Sequence, residues 1–258
     1  MNWFPQLGSG AMAQYPLQRN RQWRAITNTL ESGETIRLGD VPGGWIEWRL
    51  RYEELSDAEV AKLTGLFEAS RGEAGSFGFV DPFANLLGWS EDLSKPDWQK
   101  GLLSAGGGFS DPLGTQRGWN VQNGNEAEQT LSQTLSLPGE YTACFSAYVR
   151  SDSAGTVGIA RDSNRVNVPV GPQWKRIQVS GGAAAGATAS TFSVIFSAGS
   201  TVRVFGLQVE AQPWPSLYRP TGAAAGILEE TRFDGGELKV VHTAPGLSAC
   251  QVNLISRV

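Results

Sequence analysis

The stretch Trp45-Ile46-Glu47-Trp48-Arg49-Leu50-Arg51-Tyr52-Glu53 decides how the first part of the chain is read. Ile46, Trp48, Leu50 and Tyr52 fall on one face, and Trp45, Glu47, Arg49, Arg51 and Glu53 on the other. A period of two with one apolar face is a half-buried strand. Upstream, Asp40-Val41-Pro42-Gly43-Gly44 has turn chemistry, and residues 34–38 predict a partner strand. Downstream, the spacing predicts a helix at about 57–70. Ser56 is its N-cap, and Glu59 three residues on completes a capping box. Val60, Leu63, Leu66 and Phe67 recur at helical spacing, and Gly72 supplies the stop. Residues 75–82, Gly-Ser-Phe-Gly-Phe-Val-Asp-Pro, predict a short strand ended by a proline turn.

From Asn85 the texture changes. Through Thr221 the chain offers short alternating segments and glycine turns, at 141–150, 174–180, 191–197 and 201–210. Tyr141, Ala143, Phe145, Ala147 and Val149 share one face of the first of these. Recurrent short strands between turn signals predict a β-sandwich or jelly roll. Residues 222–226, Gly-Ala-Ala-Ala-Gly, read as a flexible linker. After it, 237–241 and 249–258 predict two closing strands around Pro245-Gly246. About thirty residues cannot form a domain alone, and residues 1–83 lack enough sheet for their helix to cover. The fold class expected is therefore mainly β. A discontinuous sandwich or barrel domain (1–83 with 227–258) carries the one helix, and a jelly roll is inserted at 84–221.

The composition agrees. Among 258 residues, 40% are apolar and 18% charged, which excludes a disordered chain, and 32 glycines fit many tight turns. Net charge is -4 with no basic run, so sequence-specific nucleic-acid binding is not expected. No signal peptide is read at the start, and no apolar run approaches the ~20 residues of a membrane helix. Cys144 and Cys250 have no metal-ligand spacing and lie in alternating apolar segments, as packing thiols do.

Enzymatic chemistry finds little support. The one histidine, His242, has no Gly-x-Ser-x-Gly elbow to serve. The pattern at 8–13 fits Gly-x-Gly-x-x-Ala by letter, without the strand and long helix a dinucleotide site needs. The carboxylate pairs Glu53-Glu54, Glu91-Asp92 and Glu229-Glu230 are strand neighbours that point apart. No catalytic residue, cofactor or metal is expected. Tryptophan matters more, because an exposed indole on a β-sandwich can stack on a sugar ring. Trp98 and Trp119, followed by polar and glycine-rich residues, are the candidate sugar contacts, whereas Trp174 reads as core.

Several of these segments resemble a known family. Residues 15–23, Tyr-Pro-Leu-Gln-Arg-Asn-Arg-Gln-Trp, the strand at 45–52, the helix ending Phe67-Glu68-Ala69-Ser70-Arg71-Gly72 and the segment 75–83 resemble distal tail proteins of long-tailed bacteriophages and gene transfer agents. Gly78 and Val80 stand where arginines are frequent in that family. Residues 85–91 with Trp98, residues 141–150, and 204–212 with 215–221 resemble carbohydrate-binding jelly rolls of phage tail proteins. The resemblance implies a virion protein of the tail tip or baseplate, assembled in the host cytoplasm. It implies a ring, expected as a hexamer, that joins the tail tube to the tip-hub proteins and carries the sandwich outside, where host surface polysaccharide is a further partner. Trp3, Phe4, Tyr15 and Trp23 are the candidate ring contacts, with core packing as their alternative. A stand-alone carbohydrate-binding adhesin and a glycan hydrolase are the competing readings.

Overall fold

The computed structural model describes residues 1–257, and of residues 40–42 no side chains. In chain order the elements begin with β1 (Gln18–Thr29), β2 (Thr35–Leu55), α1 (Asp57–Ala69), β3 (Phe77–Val80), β4 (Ser104–Phe109), β5 (Gly118–Gln122), β6 (Gln129–Leu135) and β7 (Ala143–Arg150). There follow β8 (Gly155–Arg161), β9 (Asn164–Val170), β10 (Lys175–Gly181), β11 (Ser190–Phe196), β12 (Thr201–Glu210), β13 (Ile227–Phe233), β14 (Val240–Ala244) and β15 (Leu247–Arg257). Among the described residues the protein is mainly β with one helix. It divides into two compact units, Met1–Val80 with Leu228–Val258, and Asp81–Ile227.

The first unit is a sheet in the order β1-β2-β15-β13-β3, with β14 also on β15. The alternation at 45–53 has its physical counterpart here. Ile46, Trp48, Leu50 and Tyr52 are buried, and β15 answers across the ladder with Val252 opposite Leu50 and Leu254 opposite Trp48. Phe79 meets Trp48 edge-on at 5.1 Å and Phe4 at 5.4 Å, while Phe233 links Phe77 at 4.9 Å to Phe67 of α1 at 5.0 Å. Each such side chain contributes ~1.5–3 kcal/mol by burial, so this aromatic chain fastens the helix to the sheet. The capping box of α1 is complete: Glu59 N donates to Ser56 Oγ (3.3 Å) and Ser56 N to Glu59 Oε2 (2.9 Å). Glu59 Oε1 also accepts from Gly8 N, and these bonds, Gly8's first, hold its carboxyl below the usual range. Gly78 is required where it stands, because any Cβ there would lie 2.5 Å from the Trp3 indole.

One expectation is corrected. No strand boundary falls at 40–44; β2 runs through it, and the predicted partner strand at 34–38 is its own first part. The partner is β1, whose pairing steps from Trp23 opposite Gly44 to Ala25 opposite Gly39, so that the extra residues form a bulge. The side chains of residues 40–42, on which the expected turn rests, lie outside the described residues, as does Val258 of the expected last strand.

The second unit is an antiparallel sandwich of a five-stranded sheet, β10-β7-β12-β5-β4, and a four-stranded sheet, β6-β11-β8-β9. From β6 to β12 the chain crosses repeatedly between the two sheets, which is jelly-roll connectivity. Phe145 of β7 meets Phe192 of β11 at 5.8 Å across the core. The entry and exit segments are zipped together. Asn85 Nδ2 donates to Leu207 O and Arg219 O, and Asn85 Oδ1 accepts from Leu87 N and Val209 N. The stretch 222–226, expected as a flexible linker, is part of this zip: Trp89 N donates to Gly222 O, Gly226 N to Asn85 O, and Asp81 N to Gly226 O. Small residues there serve close approach, since a Cβ on Gly226 would lie 2.5 Å from that of Ala84.

Candidate functional site

Strand alternation sorts the five-stranded sheet into two faces. Phe145, Ala147, Val149, Val121, Val202 and Val204 are buried on the inner face. The outer face is polar and aromatic. Register aligns Arg150 opposite Arg203, which is opposite Asn120, and in the next row Arg176 opposite Tyr148, which is opposite Phe205. A bulge follows Phe205, and Gly206 takes φ 62, left-handed space that only glycine enters freely. A Cβ there would press on the Tyr148 and Tyr218 rings at 3.1 and 3.3 Å.

Part of this face is covered by the segment after β12. Tyr218 packs edge-on against Phe205 at 5.1 Å, and Arg176 donates to Ser216 O and Ser146 Oγ. The buried Glu210 carboxylate accepts from Gln208 Nε2, Ser216 N, Ser216 Oγ and Gln212 Nε2. That carboxylate is saturated with donors, an anchor for the covering segment. The neighbouring row is half-buried and carries the exposed Asp152 at its end. Arg150 Nη2 and Arg203 Nη2 both reach Asp152, at 2.7 and 3.1 Å, and Arg203 stacks on the exposed Phe109 ring at 5.6 Å. Arg117 pairs with Glu91 at 2.7 Å and lies over Phe205. Asp111 shapes the loop that presents Arg117, accepting from the backbone N–H groups of Leu113, Thr115 and Arg117. Aromatic rings, amides and guanidiniums converging on one sheet face can receive a hydroxylated, ring-shaped ligand.

The two expected sugar contacts lie elsewhere. Trp98 is a correction: it is 3% exposed, with its indole N–H donated to Trp89 O, so no ring face is presented to solvent. Trp119 is half-buried, lies across Gly107 and donates to Glu91 O; alternation puts it on the opposite face of β5 from Asn120. Trp174 is half-buried just before β10. The signal that finds the outer row instead is the polar member of each alternating pair, Arg150 after Val149 and Arg203 after Val202.

The expected ring contacts divide as well. Phe4 is a correction: it is fully buried in the aromatic core, so it belongs to folding. Trp3 is half-buried on Gly78. Tyr15 and Trp23 are 70% and 59% exposed. Around Trp23 stands a larger feature, because every residue of β1 is exposed. Ile26 pairs with Leu38 and Asn28 with Ile36, so Ile26, Leu30, Ile36 and Leu38 share one face of the β1–β2 ribbon, each 41–53% exposed. On the ribbon the exposed Arg19, Arg21, Arg24 and Arg37 outnumber Glu31 and Glu34, whereas on and around α1 the exposed Glu53, Glu54, Asp57, Glu68 and Glu73 outnumber Lys62 and Arg71. A groove of about 570 Å³ in this unit is lined by Arg24, Trp45, Glu230, Arg232 and Arg257.

His242 Nδ1 lies 3.0 Å from Ser248 Oγ, yet Ser248 is fully buried and its oxygen cannot meet a substrate carbonyl. Among the described residues no group of three or more His, Cys, Asp or Glu side chains is placed to hold a metal ion, and no helix is long and apolar enough to cross a membrane.

No protein-family profile and no curated protein matches the chain. Among solved structures it is similar to the enzymatically active domain of tailspike protein 4 of bacteriophage CBA120, at 13% identity and TM-score 0.40, over 51% of this chain and 22% of that one. It is similar to the CBM22-1 xylan-binding domain from Paenibacillus barcinonensis Xyn10C, at 13% identity and TM-score 0.41, over 54% and 99% of the two chains. A family 11 carbohydrate-binding module from Clostridium thermocellum, in complex with a β-1,3-1,4-mixed-linked tetrasaccharide, is similar at 12% identity and TM-score 0.36, over 54% and 99%. The match thus spans about a fifth of the tailspike domain and nearly the whole of the two modules.

Proposed function

We propose that the chain is a structural subunit of a phage tail tip, assembling into a ring through its first unit and carrying a sandwich that contacts host glycan. The observation that supports the ring is the ribbon. A two-stranded ribbon has no core of its own, and a long exposed edge with one apolar face invites pairing unless a partner covers it. A second copy suits it. The ribbon is basic and the surface on and around α1 is acidic, so a head-to-tail contact joins unlike surfaces, the kind of contact that builds a ring when its rotation closes. The sequence resemblance of residues 15–83 supplies the tail-tip setting, and the buried, unpaired cysteines suit assembly in a reducing cytoplasm. The glycan contact is supported by the outer row of the five-stranded sheet, where the exposed Asp152 joins two half-buried arginines. The competing reading, a free-standing adhesin, uses the same row and needs no ring.

The test is Ile26→Glu together with Leu38→Glu. Both side chains already face water in the single chain, so the monomer should stay folded, its melting temperature lowered by only a few degrees because the two new carboxylates stand directly opposite. Two carboxylates in an apolar contact should weaken self-association at least a hundred-fold, about 3 kcal/mol. Unchanged assembly in this variant would remove the ribbon from the interface.

A further inference from the structure

We infer that Arg150, Arg203 and Asp152 form an anion subsite on the sandwich, which makes its ligand a carboxylated polysaccharide; this rests on the glycan reading above. Arg150 and Arg203 are directly opposite on neighbouring strands, an arrangement that repels unless an anion sits between the two guanidiniums. Asp152 supplies that anion from the turn after β7, one carboxylate oxygen to each arginine. It is an exposed side chain, so the place it occupies is reachable from solvent. Two cations share one carboxylate, which leaves the cluster one positive charge in excess.

The surroundings fit a sugar acid better than a bare ion. Asn120 and Gln122 extend the outer face along β5, offering amides to hydroxyl groups, and the Phe109 ring beneath Arg203 offers an apolar surface. A uronate residue has all three complements: a carboxylate, hydroxyls and a hydrophobic ring face. Asp152 then marks where the ligand carboxylate binds, and competes with it. The chain as a whole carries a net charge of -4, so attraction of a polyanion must come from this local arrangement.

The experiment is affinity electrophoresis of the full chain through gels containing polygalacturonate or hyaluronate, against gels containing their methyl esters, which keep the ring and lose the charge. The expected result is retardation by at least one acidic polymer, and at least five-fold weaker retardation by its ester. Arg203→Gln and Arg150→Gln should each weaken it roughly three- to ten-fold. Asp152→Asn should strengthen it several-fold, a gain that misfolding cannot mimic. Equal retardation by polymer and ester, or retardation indifferent to all three substitutions, overturns the subsite and leaves the glycan reading standing. Retardation by neither the acids nor the esters overturns both.

Discussion

Replacing Arg161 with alanine is expected to cost the sandwich about 3–5 kcal/mol, the penalty of stripping several buried acceptors of their shared cation. Arg161 closes β8 on its inward register, two residues after Ile159, and is almost wholly buried. Its guanidinium donates to the carbonyls of Tyr141 and Gly181 and to Ser190 Oγ, and stacks on Phe192. One side chain thereby fixes the start of β7, the end of β10 and the start of β11. Burial lowers its pKa, yet a guanidinium remains charged, so the donors are always present. Alanine would leave the carbonyls unpaired and open a void. Lysine would not rescue it, because one ammonium cannot copy a planar fork. The melting transition of the second unit should fall by roughly 10–15 °C, while that of the first unit, which contains none of these partners, stays. A wild-type transition in Arg161→Ala would show that the network contributes nothing.

Alkaline pH should weaken each unit through its buried thiol. Cys144 is pushed up to about 12, first by burial and then by the Glu210 carboxylate, against the pull of Arg176. Burial pushes Cys250 up to about 11. In the unfolded chain both ionise near 8.5. Below that pH both states hold the proton and the thiols' contribution is complete. Above it the unfolded chain releases the proton and the native thiol keeps it, so each further pH unit costs about 1.4 kcal/mol per thiol until the native pKa is reached. By pH 10 each unit has lost about 2 kcal/mol. Burial also raises Tyr52, Tyr141 and Tyr218, which extends the loss above pH 10. Cys144→Ala should narrow the drop in the second unit's melting temperature between pH 7.5 and pH 10 by about 5 °C. An unaltered drop would mean that Cys144 titrates alike in both states.

What was legible in the sequence follows from where water stops. Helix α1 could be read because its cap and apolar spacing are local, and β2 beyond Trp45 because one of its faces is buried. β1 could not, since every residue of Gln18–Thr29 is exposed and no face is selected. The same reason explains the missed bulge: turn chemistry at 40–44 serves a bulge as well as a hairpin, and only the partner strand distinguishes them. At the candidate site, tryptophan drew attention as the best stacking residue, but Trp98 spends its indole on the core. The outer row consists of residues whose meaning depends on register. Arg150 and Arg203 are ordinary strand-end arginines until β7 and β12 set them side by side. Arg161 did leave a trace, a charge on the inward register of an alternating strand.

The ring is the central claim, and the mass of the full chain in solution tests it most directly. Light scattering or native mass spectrometry should show one closed species at a whole-number multiple of 27.7 kDa, with no open-ended growth as concentration rises. A mass of 27.7 kDa that persists at the highest attainable concentration would contradict it and favour a free-standing, sugar-binding protein.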